Sequence, residues 1–158
     1  MAALTSVGEE QGAKLAQFWL RHGLRFDEVY SGTLPRQART EEIVREYFRA
    51  AGRPWPVAVQ DGAWNEYDAP GVLQHFVPVD AMLTALSAEF EKARGTPDEN
   101  RRFQRMFEAA MARWLEGTIE TTGVESWPAF RSRVSTAIQR LMAGPPAAGS
   151  PSLPPEAP

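Results

Sequence analysis

Cysteine is absent from the 158 residues, so neither a disulfide framework nor a thiolate metal site is available. Histidine is nearly as scarce: His22 and His75 are the two present. No apolar run approaches the roughly 18 residues that a membrane-spanning helix needs. The N-terminus has no apolar segment before the acidic pair Glu9 and Glu10, so neither a membrane partner nor a signal peptide is expected. A basic excess is also missing. Seventeen Lys and Arg against 20 Asp and Glu leave a net charge of −3, which gives no reason to expect nucleic acid or an anionic membrane surface as a partner. These absences suit the cytoplasm.

What is present argues for a folded chain. A hydrophobic content of 43% and an aromatic content of 10% are those of a globular protein. One domain is expected over residues 1–143. Residues 144–158, GPPAAGSPSLPPEAP, cannot form a core and are expected to be extended, disordered chain. That tail fits a linker, a proline-rich ligand for another domain, or out-of-frame translation equally.

Helical signals dominate the domain. Thr5 is placed to cap a helix running to about His22, with Gly23 as its stop. Leu15, Phe18, Trp19 and His22 have i, i+3, i+4, i+7 spacing and are expected to face inward. Gly8 and Gly12 each weaken that helix by about 1 kcal/mol relative to alanine and would suit a close approach to neighbouring backbone. A second helix is expected over about Leu34 to Ala51, with Val44, Tyr47, Phe48 and Ala51 on one stripe. Pro70 to about Arg94 reads as one broken or two short helices interrupted near Pro78, with Asp80 capping the second and Leu83, Leu86 and Phe90 inward. Thr96 and Pro97 are expected to open the next helix, whose stripe runs from Phe103 to Trp114, and Ser126 the last, with Phe130, Val134, Ile138 and Leu141 on one face. The expected strands are Phe26 to Tyr30 and Val57 to Gln60.

The stretch FDEVYSGTLPRQART, Phe26 to Thr40, holds the chemistry. A strand turning through Ser31, Gly32 and Thr33 into a helix presents unpartnered N–H groups and a favourable dipole to an anion. Arg36 adds a planar cationic fork that matches phosphate oxygens. The plain alternative is an ordinary strand-to-helix connection with Arg36 in solvent. In WNEYD, Trp64 to Asp68, Glu66 could serve as a proton donor in the loop beyond the second strand. Alternatively Glu66 or Asp68 caps the helix entering at Pro70.

Three ordered blocks, LTSVGEEQG (Leu4 to Gly12), FDEVYSGTLPRQART and WNEYD, resemble the histidine phosphatase superfamily, the phosphoglycerate mutase-like group. The resemblance spans roughly residues 4–142. It implies an α/β fold, an incomplete phosphoglycerate mutase-like three-layer architecture, rich in helix, with about two parallel strands remaining. It also implies a phosphomonoester hydrolase or phosphomutase acting through a phosphohistidine. Arg36 and Ser31 would hold the phosphate of a small phosphorylated substrate or inorganic phosphate, with Thr40 in the same motif. Glu66 would be the catalytic acid/base, and neither a metal nor another cofactor is required. Pro70 to Gly117 would be the helical insertion that shapes the substrate pocket.

Two parts of that pattern have no counterpart in the chain. The family's first strand ends in an Arg-His-Gly that supplies the nucleophile, and a late strand follows its last long helix. Arg21-His22-Gly23 spells the motif, but it ends a helix and follows the Leu4 block instead of preceding it, so His22 is expected to bind helix-end carbonyls. His75 is expected to be a packing residue. The chain as written is therefore expected to be nearly inactive, with unpaired strand edges that leave it poorly soluble or partly molten. A phosphate-binding pseudoenzyme or interaction module is the alternative, and an unrelated helical scaffold a third.

Overall fold

Helix starts follow the side chains that can satisfy orphan N–H groups. The computed structural model describes residues 3–120 and 122–144; the proline-rich expectation for 145–158 lies outside the described residues. Thr5 accepts from Gly8 N–H at 3.1 Å and opens α1, Ser6–Arg21. Asp68 accepts from Gly71 N–H at 3.1 Å to open α3, Ala69–Phe76, so the cap in WNEYD is Asp68 and not Glu66. Asp80 caps α4, Ala81–Ala93, through Leu83 N–H at 3.0 Å, and Ser126 caps α6, Trp127–Ala143, through Ala129 N–H at 3.3 Å. Each such cap is worth about 1 kcal/mol. The second helix, α2, Pro35–Ala50, has Leu34 at its cap position with no side-chain bond and carries Pro35 in its first turn, where a missing N–H costs nothing.

α5 spans Glu99–Glu116 and begins later than the expected Thr96 cap. The Thr96 hydroxyl donates to Ala93 C=O at 2.6 Å and accepts from Asp98 N–H at 3.3 Å, so it closes the turn between α4 and α5. Gly117, at φ +66°, then ends α5 in the left-handed region.

The strands are shorter than expected. β1 is Tyr30–Ser31 and β2 is Val59–Gln60, paired in parallel with Tyr30 opposite Val59 and Ser31 opposite Gln60. Val59 N–H donates to Val29 C=O at 2.9 Å and Asp61 N–H to Ser31 C=O at 3.0 Å, flanking the ladder. Phe26 does not extend β1, because its ring turns toward Trp19 (4.9 Å) and Trp55 (5.3 Å). Val57 stands 92% exposed before pairing begins. α2 is the crossover that returns the chain parallel to β1. The result is a helix-rich α/β arrangement with a two-stranded parallel sheet.

Two hydrophobic clusters carry the packing. Ala16, Val44 and Phe48 hold α1 against α2, with Trp19, Leu20, Phe26 and Trp55 around them. Val72, Phe76, Leu83, Leu86, Met106, Ala110 and Trp114 join α3, α4 and α5, with Trp127 and Phe130 of α6 packed on them.

The buried faces correct the expected stripes in part. On α1 the buried line is Gly12 and Ala16, whereas Leu15, Phe18 and His22 are exposed and Trp19 half-buried. The small line lets α2 approach, and a Cβ on Gly12 would meet Ile43 Cγ2 at 3.5 Å. The neighbour is thus a side chain and not the backbone expected from the glycine spacing. At Gly8 the neighbour is likewise a side chain, Leu4 Cδ1. Tyr47 of α2 and Ala51 at its C-cap face out while Ile43, Val44 and Phe48 are buried. Phe103 of α5 is exposed beside buried Met106, Ala110 and Trp114. On α6 Ala137 is buried, Phe130 and Val134 are half-buried, and Ile138 and Leu141 remain exposed. Among the described residues no helix is long and apolar enough to cross a membrane.

Candidate functional site

The C-terminal end of β1 and the start of α2 place Ser31, Arg36 and Thr40 along one wall of a cavity of about 610 Å³, and Glu66 reaches the same cavity from the loop after β2. Arg36 and Glu66 lie 30 positions apart in the chain and meet directly. Arg36 donates to Glu66 Oε2 through a terminal nitrogen at 2.6 Å and through Nε at 3.1 Å. Both side chains keep solvent contact, at 33% and 54% exposed, so the pair is open to exchange with another anion.

The loop that carries Glu66 is tied down on both sides. Asp61 accepts from Ala63 N–H at 2.8 Å and starts the 3₁₀ turn Gly62–Trp64. Asn65 Oδ1 then accepts from Thr33 N–H at 2.7 Å, while Asn65 Nδ2 donates to the Thr33 hydroxyl at 2.9 Å. One donor of the Ser31–Gly32–Thr33 loop is thereby occupied within the chain and is not free for an anion. On the far side Tyr67 stacks on Trp114 with ring centroids 4.8 Å apart. Glu66 is held between these two anchors.

Gln37 links the two walls by donating from Nε2 to Trp64 C=O at 2.9 Å. Its Oε1 is buried and has no hydrogen-bond partner among the described residues. Gly32 is what admits this amide, because a Cβ there would collide with Gln37 and lie 2.6 Å from Asn65 Oδ1. The Ser31 hydroxyl donates to Gly32 C=O at 3.2 Å and the Thr40 hydroxyl to Arg36 C=O at 2.9 Å. Thr40 therefore braces the helix turn that carries Arg36.

Arg133 supports the same loop from α6. One terminal nitrogen lies 3.0, 2.9 and 3.1 Å from the carbonyls of Gly62, Ala63 and Asn65, while Nε and the other nitrogen pair with the Glu125 carboxylate at 2.8 and 2.7 Å. The hydrogen bond to Arg133 leads the causes that hold Glu125 below its ordinary pKa, with the charge of Arg133 adding to it against desolvation. A carboxylate depressed in the fold contributes stability that is fully present above its unfolded value, about 4.5, and is lost as pH falls through the folded one. Urea melts of wild type and Glu125→Gln between pH 7 and pH 3 are expected to converge as acidity rises. Two curves that stay parallel would remove the pair from the acid response.

Both histidines are engaged elsewhere. His22 Nδ1 lies 2.8 Å from Phe18 C=O at the end of α1, and His75 Nε2 lies 2.8 Å from Glu120 C=O. Neither lines the cavity with Arg36. Tyr30 does, and its phenol donates to Glu28 at 2.9 Å, the leading reason its pKa lies above the ordinary value. Among the described residues no three His, Asp or Glu side chains gather in a way that could hold a metal ion.

The sequence reading missed Asn65, Gln37 and Arg133. Asn65 carried a weak signal, since asparagine often bonds nearby backbone, but its partner is 32 positions away. Arg133 sits mid-helix and reads as a solvated position. No family model, curated protein or solved structure matches the chain.

Proposed function

We propose that the chain is of histidine phosphatase type, derived from a phosphoglycerate mutase-like three-layer fold, and binds inorganic phosphate or a small phosphomonoester without turning it over. The observation that carries this reading is the meeting of Arg36 and Glu66 at 2.6 Å in the cavity that Ser31 also lines. A guanidinium with two N–H groups on one carboxylate oxygen can present the same fork to a phosphate. Glu66 occupies the anion position when no ligand is bound, and on this reading it serves as the acid/base group only once a phosphate has displaced it from Arg36. Phosphoryl transfer to histidine needs a nucleophile in the cavity, and His22 and His75 both bond carbonyls outside it. Arginine and carboxylate without their nucleophile are expected to give negligible turnover.

Thermal melts over a phosphate titration test this directly. Phosphate at about 100 times its dissociation constant stabilises a protein by about 2.7 kcal/mol. The wild type is expected to show a saturable rise in Tm that Arg36→Ala abolishes. Glu66→Gln, which removes the competing carboxylate, is expected to tighten phosphate binding severalfold. A rise retained in Arg36→Ala would remove Arg36 from the site. Trapping with a labelled phosphomonoester is expected to yield no phosphohistidine, and recovery of one would restore the enzyme reading.

A further inference from the structure

The cavity at Arg36 is far larger than a phosphate group, and its remaining wall has a consistent character. Its volume of about 610 Å³ lies within the range of small-molecule sites, roughly 300–1,000 Å³. Beyond the polar end the wall is made by Leu15 and Trp19 of α1, Val44 of α2, Trp55, and Leu141 of α6. Leu15 is 37% exposed and Leu141 42% exposed, so apolar surface on two sides of the cavity meets solvent. Removing that surface from water is a binding free energy that inorganic phosphate cannot use.

Charge narrows the ligand further. Among the described residues lining the cavity, Arg36 is the one cation, paired with Glu66, and Glu41 is a second carboxylate of the lining. Glu41 is buried in the apolar wall, accepting from Trp55 Nε1 at 3.0 Å and from Arg45 at 3.4 Å. A phosphate monoester already carries about −1.5 to −2 against the single positive charge of Arg36, so a second anionic group on the ligand would find no further cation in the wall and would lie in poorly solvated surroundings near Glu41. The hydrogen bond to Glu41 and the packing of Phe26 and Phe48 on the indole hold Trp55 in place, so its part of the cavity lining is a rigid apolar wall.

We infer that this site, taking the phosphate reading above as its basis, selects a phosphate monoester whose alcohol is aromatic and uncharged, over inorganic phosphate and over polar phosphate esters. The phosphate engages Arg36 while the aryl group lies along Trp55 between the α1 and α6 walls.

Calorimetric titration of the full chain with 1-naphthyl phosphate, glycerol 3-phosphate and inorganic phosphate tests it. 1-Naphthyl phosphate is expected to bind at least about tenfold more tightly than the other two, the residue of apolar burial after ordering costs. Leu141→Gln changes an exposed wall position, and melting curves check its folding. It is expected to bring the affinity ratio of 1-naphthyl to inorganic phosphate down severalfold. Equal affinity for all three ligands would overturn the aryl preference and leave the phosphate reading standing. Binding of 1-naphthyl phosphate undiminished by Arg36→Ala, or no binding of any of the three, would overturn both.

Discussion

Trp114→Ala is expected to destabilise the protein by about 3–5 kcal/mol, the cost of truncating a buried tryptophan. Trp114 is 3% exposed and sits where three elements converge. Its ring stacks on Tyr67 at 4.8 Å, meets Trp127 edge-on at 5.5 Å and lies 5.9 Å from Phe130, while Nε1 donates to Glu125 C=O at 2.8 Å. Alanine empties the ring's volume and leaves that carbonyl without its donor. Against a total stability of about 5–15 kcal/mol, such a loss approaches unfolding. For a domain of this size it corresponds to a fall in Tm on the order of 10–20 °C. Trp114→Phe keeps much of the packing and is expected to lose less than half as much. A fall below about 3 °C for the alanine variant would mean that the cluster relaxes around the cavity. The effect should also reach the site, because Tyr67 adjoins Glu66 and loses its stacking partner.

Arg133→Ala is the second large effect, expected at about 3 kcal/mol, since hydrogen bonds to charged groups contribute roughly 1.5–3 kcal/mol each and are not additive. The guanidinium joins Glu125 to three carbonyls of the Gly62–Asn65 turn and lies 5.1 Å from the Phe130 ring centre. Truncation leaves Glu125 without its partner and frees the turn that positions Glu66. Lysine is expected to recover little, because a single ammonium cannot serve a carboxylate fork and the opposite carbonyls together. Urea melts of Arg133→Ala, Glu125→Ala and the double variant measure the coupling. Additive losses would show that the pair acts only through each residue's own packing.

These two residues mark where sequence reading stops. Thr5, Asp80 and Ser126 were legible as caps, and Asp68 as one of two candidates, because a cap and its N–H lie within three positions. Gly23 was legible as a stop for the same local reason. Arg36 and Glu66 were both singled out, but their direct contact could not be read, since it depends on where the β2 loop comes to rest. The inward face of α1 was misread because burial is set by α2. Hydrophobic spacing picked Leu15 and Phe18, whereas the close approach required the small side of the helix at Gly12 and Ala16. Arg133 was invisible because its carbonyl partners are 68 to 71 positions away.

The separation of the packing into two clusters has a consequence for the ion pair. Arg36 belongs to the half built on α1 and α2, while Glu66 is anchored through Tyr67 and Arg133 to the half built on α3 to α6. The two halves meet at the cavity through short connections: the four-residue ladder, the Thr33–Asn65 exchange, Gln37 on Trp64, and the ion pair itself. An anion that replaces Glu66 on Arg36 removes one of these seams and adds another only if it also touches the far half. If the site binds as proposed, ligand size decides the mechanical coupling. A bare phosphate would raise the stability of the fold as a whole while releasing the Glu66 loop from Arg36, and a ligand long enough to span the cavity would act as a splint.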